Sequence, residues 1–232
     1  MAAGLLDGAV VVFDLDGTIA DTAPDLIRAT NQALVKAGYP RAAETVIKPA
    51  VAYGARAMVA AALASHDFKV DDAELGALSE SMVSFYEADI ASASAFFPGF
   101  LEGVGELENL GARLAVCTNK RERLARHLLS QLGVINRFKA IAGGDTYPFR
   151  KPDPRHVLAV VEEAGGVPQH AVMVGDTAAD IDAARAAGVA SVAVRFGYSE
   201  APVETLGAMA IISHFEELPE LVCNVLAHGK GV

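Results

Sequence analysis

The sequence predicts the α/β fold class, with a doubly wound parallel sheet core and an inserted helical domain. Short apolar runs rich in Val and Ile, without alternating polar residues, are typical of strands covered on both faces. Helical patterns separate these runs, as in a chain that winds repeatedly across a parallel sheet. One long segment, residues 21–92, carries helical patterns alone, and it is too long to be an ordinary connection between strands.

Six apolar runs are the predicted strands. In chain order they are Ala9–Phe13, Leu114–Cys117, Lys139–Ala142, Val172–Val174, Ser191–Val194 and Ala210–Ile212. The helices predicted between them are Arg121–Leu132, Pro154–Ala164 and Ala178–Ala187. A glycine follows each of these helices, where its tolerance of a left-handed conformation closes the last turn.

The helical segment predicts a second domain. Residues 1–20 and 93–232 are expected to form the Rossmann-like core, and residues 21–92 a helical cap domain. The cap begins with Thr22, Pro24 and Asp25, a combination typical of the first turn of a helix. Val51–Leu63 and Ala73–Ile90 are predicted to be two further helices.

Composition limits the classes of partner. The formal net charge of −10 disfavours general nucleic-acid binding, which gathers Lys and Arg against backbone phosphates. It is compatible with a small phosphorylated substrate, because one cation reverses the potential of a site. No run approaches the ~20 apolar residues of a membrane span, and no basic signal region begins the chain. A cytoplasmic protein without nucleic-acid or membrane partners is expected, and the sequence carries no signal of its oligomeric state.

Two carboxylates end the first predicted strand. Asp14 and Asp16 follow its apolar run and precede Gly17 and Thr18. Strand alternation would place both carboxylates on one face, although a turn that begins here would rotate Asp16 away. Burying two anions is costly unless a cation holds them, and a hard divalent ion with oxygen ligands meets that need. The same residues would also serve as an ordinary Asp-Gly turn.

Polar residues follow two later strands as well. Asp176 comes after the fourth strand in the chain, and Asp180 lies four residues further on. A helix that begins near Asp176 would bring both carboxylates to one side, where a cation would offset their repulsion. Thr118 and Asn119 follow the second strand. A hydroxyl with nearby amide groups suits a phosphate oxygen, although both residue types are also common helix caps.

Lys151 precedes a predicted helix. Pro152 and Pro154 fix the backbone around it. A solvated loop lysine is the alternative interpretation. Because ligands of doubly wound sheets bind beyond the carboxyl ends of the strands, we expect the acidic residues, Thr118 and this lysine to form one site.

Together these residues resemble the four ordered motifs of the haloacid dehalogenase superfamily. The motifs are Asp14-Leu15-Asp16-Gly17-Thr18, Thr118-Asn119, Lys151-Pro152 and Gly175-Asp176 followed by Asp180. The helical segment is similar in size and position to the mobile cap of that family, so the resemblance covers nearly the whole chain. It implies a phosphatase that acts on a small phosphorylated metabolite and requires Mg²⁺.

The resemblance also implies catalytic roles. Asp14 is the expected nucleophile, which forms an aspartyl-phosphate, and Asp16 is the expected acid and base at the leaving oxygen. Thr118 and Lys151 would hold the oxygens of the transferring phosphoryl group. The further substrate contacts that we expect are Gly17, Thr18 and Asn119.

The same resemblance implies the metal ligands. Asp14, the backbone carbonyl of Asp16 and Asp176 would bind Mg²⁺. Asp180 would act through a water molecule or through another ligand. The presence of Asp16 argues against dehalogenase activity, because dehalogenases of this superfamily lack the second aspartate and need no metal.

Finer details resemble the phosphoglycolate phosphatases of this superfamily. They are the runs Gly143–Pro154 and Leu114–Lys120, Phe97-Pro98-Gly99, and Tyr53-Gly54-Ala55-Arg56. The expected substrate is therefore 2-phosphoglycolate, with Arg56 approaching its carboxylate. A phosphosugar mutase of the β-phosphoglucomutase type, a pyrophosphatase and a hydrolase of other small phosphomonoesters are the alternatives. A non-catalytic binding protein on the same fold is the alternative of a different class.

Overall fold

Six parallel strands form the main sheet of the structure, a computed structural model that describes residues 4–199 and 201–228. The strands of the described chain are β1 (Val10–Phe13), β2 (Ala20–Asp21), β3 (Ala95–Phe96), β4 (Arg113–Cys117), β5 (Phe138–Ala142), β6 (Ala171–Gly175), β7 (Ala190–Val194) and β8 (Ala210–Ile212). The main sheet has the order β5-β4-β1-β6-β7-β8, and β2 pairs with β3 in a separate two-stranded sheet. The predicted α/β class and all six predicted strands are confirmed, with ends that shift by at most one residue.

Helices connect the strands. Those of the described chain are α1 (Ala23–Lys36), α2 (Glu44–Ile47), α3 (Ala55–Ala64), α4 (Asp72–Ala88), α5 (Phe100–Asn109), α6 (Glu122–Gln131), α7 (Pro154–Glu163), α8 (Ala178–Ala187) and α9 (Leu218–His228). The prediction of one helix over Val51–Leu63 is confirmed from Ala55 onward, where α3 begins, and is wrong before that residue. Lys48–Tyr53 is a 3₁₀ helix, and α3 begins only after Gly54, whose φ of 85° lies outside the right-handed helical region.

The chain divides into two units. One comprises Asp21–Ala95, in which α4 packs against α1 and α3. The other comprises the residues up to Ala20 together with those from Phe96 onward, and it contains the main sheet. The role of the helical unit as a cap stays a prediction. Among the described residues, no helix combines the length and the apolar composition that a membrane crossing requires.

Strand β1 lies at the centre of the sheet, between β4 and β6. Its four residues are completely buried, as their apolar side chains require. Phe13, the last residue of β1, is in register with Val116 of β4 and with Val174 of β6. The residues that follow these three strands therefore leave the sheet at the same edge.

Side chains of β1 alternate between two apolar layers. Val10 and Val12 belong to a buried cluster with Val157 of α7 and Ala183 of α8. Phe13 points to the other layer, where its ring lies 6.1 Å from that of Phe100 in an edge-on contact. Both faces of the strand are thus covered, which explains its unbroken apolar run.

Helix α5 was not predicted from the sequence, and its glycines explain why. Two glycines, Gly103 and Gly105, interrupt its helical composition and lower its helix propensity. A Cβ at Gly103 would lie 2.7 Å from the backbone oxygen of Phe215. The glycine is therefore required by close packing between two segments that are distant in sequence.

Asp25 links helix α1 to the end of the helical unit. Its buried carboxylate accepts hydrogen bonds from the backbone N–H groups of Ala93 and Ser94, the Ser94 hydroxyl and Arg28. Burial opposes the ionisation of Asp25, but the hydrogen bonds outweigh it and lower the pKa of this carboxyl. The sequence suggested that Asp25 acts at the start of α1. Its side chain instead binds the backbone at Ala93 and Ser94, near the end of the helical unit.

We expect Asp25→Asn to destabilise the protein by about 2–4 kcal/mol, because an amide presents N–H₂ to donors that need an anionic acceptor. Urea unfolding at neutral pH measures this loss. Glu44→Gln, at an exposed position in the same unit, is the control and should change the unfolding free energy by less than about 0.5 kcal/mol. Equal stability of the two variants would contradict the role of Asp25.

Candidate active site

Three neighbouring strands deliver polar residues to one edge of the sheet. Asp14 follows β1, Thr118 follows β4, and Asp176 follows β6. Backbone hydrogen bonds extend the sheet into these residues, because Asp14 N–H donates to Val174 O at 2.9 Å and Thr118 N–H donates to Ala142 O at 3.0 Å. Backbone pairing therefore fixes the positions from which the side chains of Asp14 and Thr118 project.

Lys151 is the buried cation of the site. It is 2% exposed, so it is not the solvated lysine that the sequence also allowed. Its Nζ lies 2.5 Å from Asp180 Oδ1, 3.1 Å from Asp14 Oδ1 and 2.6 Å from the backbone oxygen of Cys117. Burial alone would lower the pKa of Lys151, but the carboxylates of Asp14 and Asp180 outweigh burial and raise the pKa above its ordinary value. The ammonium therefore keeps its charge.

The backbone around Lys151 is held from two sides. Asn119 donates a hydrogen bond from its side-chain amide to Lys151 O at 3.0 Å, which joins the loop after β4 to the lysine loop. On the other side, Lys151 N–H donates to Nδ1 of the buried His156 at 3.3 Å. Burial, with a further contribution from Lys151, lowers the pKa of His156 to about 4, so this imidazole is neutral and accepts the hydrogen bond.

Asp176 is completely buried and is oriented through both of its carboxylate oxygens. Thr18 donates its hydroxyl to Oδ1 at 3.0 Å, and Tyr198 N–H donates to Oδ2 at 2.7 Å. Two glycines make this approach possible, since a Cβ would lie 2.4 Å from Oδ2 at Gly17 and 2.6 Å from it at Gly197. The Thr18 hydroxyl thus orients Asp176, and the expected contact of Thr18 with substrate stays a prediction.

Asp180 belongs to the first turn of α8. Its Oδ2 accepts hydrogen bonds from Thr177 N–H at 3.0 Å and from the Thr177 hydroxyl at 2.8 Å in a capping box. Its Oδ1 accepts from Lys151. Helix α8 begins at Ala178, as predicted, so Asp176 precedes the helix and Asp180 lies in its first turn. A turn, and not i, i+4 helical spacing, brings the two carboxylates together.

Three acids of this site are suited to hold a cation. Carboxylate oxygens of Asp14, Asp176 and Asp180 lie within 4.8 Å of one another. Within the described chain, Asp14 Oδ1 is buried without a hydrogen bond, although it is 3.1 Å from Lys151 Nζ. Three carboxylates against one ammonium leave an excess of about two negative charges. A divalent cation with oxygen ligands fits both the geometry and this excess.

The pKa values express the same excess of negative charge. Burial raises the pKa of Asp14 from 3.8 to about 6; Lys151 opposes the shift, and Asp180 adds to it. Burial, followed by the charges of Asp180 and Asp14, raises the pKa of Asp176 well above its ordinary value. A bound cation would favour the charged forms of both acids.

Asp16 turns away from this cluster. It forms an isolated β-bridge with Ala20, and its carboxylate accepts two hydrogen bonds from Lys120 Nζ, at 2.9 and 3.1 Å. The turn that the sequence allowed here therefore forms, and the two aspartates of the first motif have different cationic partners. The predicted metal contact of the Asp16 carbonyl stays a prediction.

The loop after β4 supports Thr118 and Lys120. Thr118 is 2% exposed, and its hydroxyl accepts from Lys120 N–H at 3.2 Å. Gly144 N–H donates to Lys120 O at 2.8 Å. A Cβ at Gly143 would lie 2.6 Å from the same oxygen. A glycine pair thus packs directly against the loop and holds its backbone.

Arg56 lies at the start of α3 in the helical unit. Its guanidinium forms an ion pair with Asp72, and both side chains are largely exposed. Its expected contact with a substrate carboxylate stays a prediction.

Sequence reasoning missed Lys120, Tyr198, Gly197 and Thr177. Lys120 stood within the quoted run Leu114–Lys120, but no spacing rule connects it with Asp16, which is 104 positions away. Tyr198 and Gly197 act through a backbone N–H group and through the lack of a side chain, respectively. Only Thr177 had a local signal, since a threonine followed three residues later by an acid is a capping-box pattern.

Known proteins are similar to this chain over most of its length. Residues 11–194 match the family described as haloacid dehalogenase-like hydrolase. A phosphoglycolate phosphatase from Mesorhizobium japonicum is 42% identical over 222 residues, covering 96% of this chain and 98% of that protein. One from Caulobacter vibrioides is 42% identical over 221 residues, covering 95% and 93%. The crystal structure of a predicted phosphoglycolate phosphatase from Haemophilus somnus 129PT has a TM-score of 0.85 at 26% identity, covering 93% and 98%.

We expect Asp14 to make the metal-free protein less stable as pH rises from about 4 to about 6. Its folded pKa of about 6 exceeds the ordinary 3.8. The folded state therefore keeps a proton that the unfolded chain releases, and this stabilisation is lost as pH rises through about 6. Relative to the wild type, Asp14→Asn should gain up to about 3 kcal/mol of unfolding free energy between pH ~4 and pH ~7.

Urea unfolding in chelator at the two pH values measures this difference. Asp182→Asn, at an exposed position on α8, is the control and should follow the wild type at both values. A gain for Asp14→Asn that does not change with pH would contradict the raised pKa.

Proposed function

The chain belongs to the haloacid dehalogenase-like hydrolases and is a phosphoric monoester hydrolase, and from this premise we propose that it hydrolyses 2-phosphoglycolate with Asp14 as nucleophile and Mg²⁺ as cofactor. One observation carries the proposed mechanism. The Asp14 carboxylate stands at the end of the central strand, with a buried oxygen that lacks a hydrogen bond within the described chain and faces the ammonium of Lys151. An anionic nucleophile is thus presented beside a fixed positive charge.

The first step transfers the phosphoryl group to Asp14. A carboxylate oxygen of Asp14 bonds to phosphorus while the bond from phosphorus to the ester oxygen breaks. Asp16 gives a proton to that oxygen, so the leaving group departs as an alcohol. Asp16 then takes a proton from the water whose oxygen attacks phosphorus, and inorganic phosphate leaves with Asp14 restored.

Fixed groups stabilise the charge that develops on the phosphoryl oxygens. Lys151 offers its ammonium, and the loop of Thr118 and Asn119 offers a hydroxyl and amide groups at the end of β4. The backbone of Gly17 adjoins Asp16, and its proposed contact with the phosphoryl group follows from the family motif. These groups are held before substrate arrives, which is the condition for electrostatic stabilisation.

Asp14, Asp176 and the carbonyl of Asp16 would hold Mg²⁺, with Asp180 contributing through water or through Lys151. When bound, this ion supplies positive charge to the phosphoryl oxygens and lowers the repulsion between nucleophile and substrate. The support is the cluster of three buried acids and its excess of negative charge.

The choice of 2-phosphoglycolate rests on the names of the relatives that are 42% identical over nearly the whole chain. We assign to the helical unit the part of a mobile cap, with Arg56 as a candidate contact of the substrate carboxylate. Hydrolysis of pyrophosphate or of another small phosphomonoester would use the same four motifs. A phosphosugar mutase would use them without net release of phosphate.

We expect the wild type to release phosphate from 2-phosphoglycolate in Mg²⁺, and Asp14→Asn to lower kcat by at least about 1,000-fold, because the covalent step is lost. A panel that contains 2-phosphoglycolate, pyrophosphate and hexose phosphates separates the alternatives. Asp182→Asn should keep wild-type activity. Conversion of hexose phosphate isomers without phosphate release would favour the mutase, and full activity of Asp14→Asn would refute the mechanism.

Millimolar Mg²⁺ should raise the melting temperature over that in chelator by about 5 °C at a hundredfold excess over Kd. Asp176→Asn should remove most of this increase, because one carboxylate ligand is lost, while Asp182→Asn should keep it. Differential scanning calorimetry measures all three proteins. The same melting temperature with Mg²⁺ and with chelator in the wild type would rule out this metal site.

A further inference from the structure

Lys120 is the second cation of the site, and the proposed mechanism leaves it without a role. Its side chain is 5% exposed, and its ammonium contacts both carboxylate oxygens of Asp16. Lys151, by contrast, is bound to Asp14 and Asp180. A lysine placed beside the group that acts on the leaving oxygen is in the position to meet the leaving group itself.

We propose that Lys120 recognises the carboxylate of the substrate, and that it exchanges its ion pair with Asp16 for one with that carboxylate. The inference rests on the proposed hydrolysis of 2-phosphoglycolate and specifies how that substrate is selected. The substrate class is the phosphate esters of small 2-hydroxy acids, in which the carboxylate is attached to the carbon that bears the ester oxygen.

Connectivity of the substrate supports this placement. In the proposed reaction Asp16 lies within hydrogen-bond reach of the ester oxygen, about 2.6–3.2 Å. The carboxylate carbon of such a substrate is two bonds from that oxygen. An ammonium that contacts Asp16 at 2.9 Å therefore reaches the substrate carboxylate by a rotation of its own side chain.

The loop allows that rotation while it keeps the backbone still. Lys120 O accepts from Gly144 N–H at 2.8 Å, and Lys120 N–H donates to the Thr118 hydroxyl at 3.2 Å. Gly143 packs too closely against the same carbonyl for any side chain to fit. The backbone of Lys120 is thus fixed, and its flexible four-carbon stem is the part that moves.

Charge favours the exchange over simple loss of the ion pair. Moving an almost buried ammonium away from Asp16 would break a short ion pair, which is costly unless another anion takes the place of that carboxylate. A substrate carboxylate replaces Asp16 as the partner of Lys120, and Asp16 turns to the ester oxygen. An ester without a carboxylate offers no such replacement.

The test compares two substrates that differ only at this group. They are 2-phosphoglycolate and 2-hydroxyethyl phosphate, in which a hydroxymethyl group replaces the carboxylate. Lys120→Met keeps the length of the side chain and removes its charge, and Lys120→Gln is a second uncharged variant. Lys139→Met, at an exposed position on β5, is the matched control. Melting curves confirm that each variant is folded.

We expect Lys120→Met to lower kcat/KM for 2-phosphoglycolate by about 100-fold more than for 2-hydroxyethyl phosphate, with most of the added loss in KM. Lys120→Gln should give the same ratio, and it decides the outcome if the Met variant does not fold. Lys120→Arg should recover part of the preference, since it keeps the charge with another geometry. The control should preserve the wild-type ratio.

Two negative outcomes are distinct. Equal losses for the two substrates in both uncharged variants would overturn the assignment of Lys120 and leave the proposed function standing. A wild type that releases phosphate from other esters but not from 2-phosphoglycolate would overturn the proposed function, and the assignment of Lys120 with it.

Discussion

The site depends on a buried cluster of charged groups, in which three carboxylates surround the single ammonium of Lys151. Asp14 and Asp180 contact it directly, and Asp176 lies beside them with both oxygens held by Thr18 and by a backbone N–H group. Such a cluster is stable only if each charge is paired or hydrogen-bonded. The glycines, the capping box and the neutral His156 around it all contribute to that condition, and the remaining excess of negative charge would favour a bound cation.

The parallel sheet supplies the precision that this cluster needs. Because β1 is paired on both sides, the backbones that carry Asp14, Thr118 and Asp176 are fixed relative to one another by sheet hydrogen bonds. Lys151 comes from a loop, yet Asn119 holds that loop through its carbonyl and His156 through its N–H group. A lysine on an irregular segment thereby obtains a position as definite as that of the strand residues.

Much of this was predictable where the signal is local. The strands were found because burial on both faces leaves unbroken apolar runs, and the four acids and Lys151 were found because they follow those strands or precede a helix. The pairing of Lys120 with Asp16 could not be predicted, because it joins distant loops. The close packing of Gly17 and Gly197 against Asp176 and the interruption of the helix at Gly54 were missed for a related reason. Both depend on the space around the backbone, which the composition of the sequence does not show.

The double role of Asp180 has a consequence for the dynamics of the fold. One oxygen caps helix α8 and the other pairs with Lys151. Fraying of the first turn would strip the buried lysine of its nearest anion, and loss of the lysine would leave a charged cap in the interior. In most proteins a helix end is among the first segments to exchange its amide hydrogens, because it opens independently of the core. Here the first turn of α8 cannot open without breaking the buried ion pair between Asp180 and Lys151. The stability of this helix end and the order of the site are thus coupled.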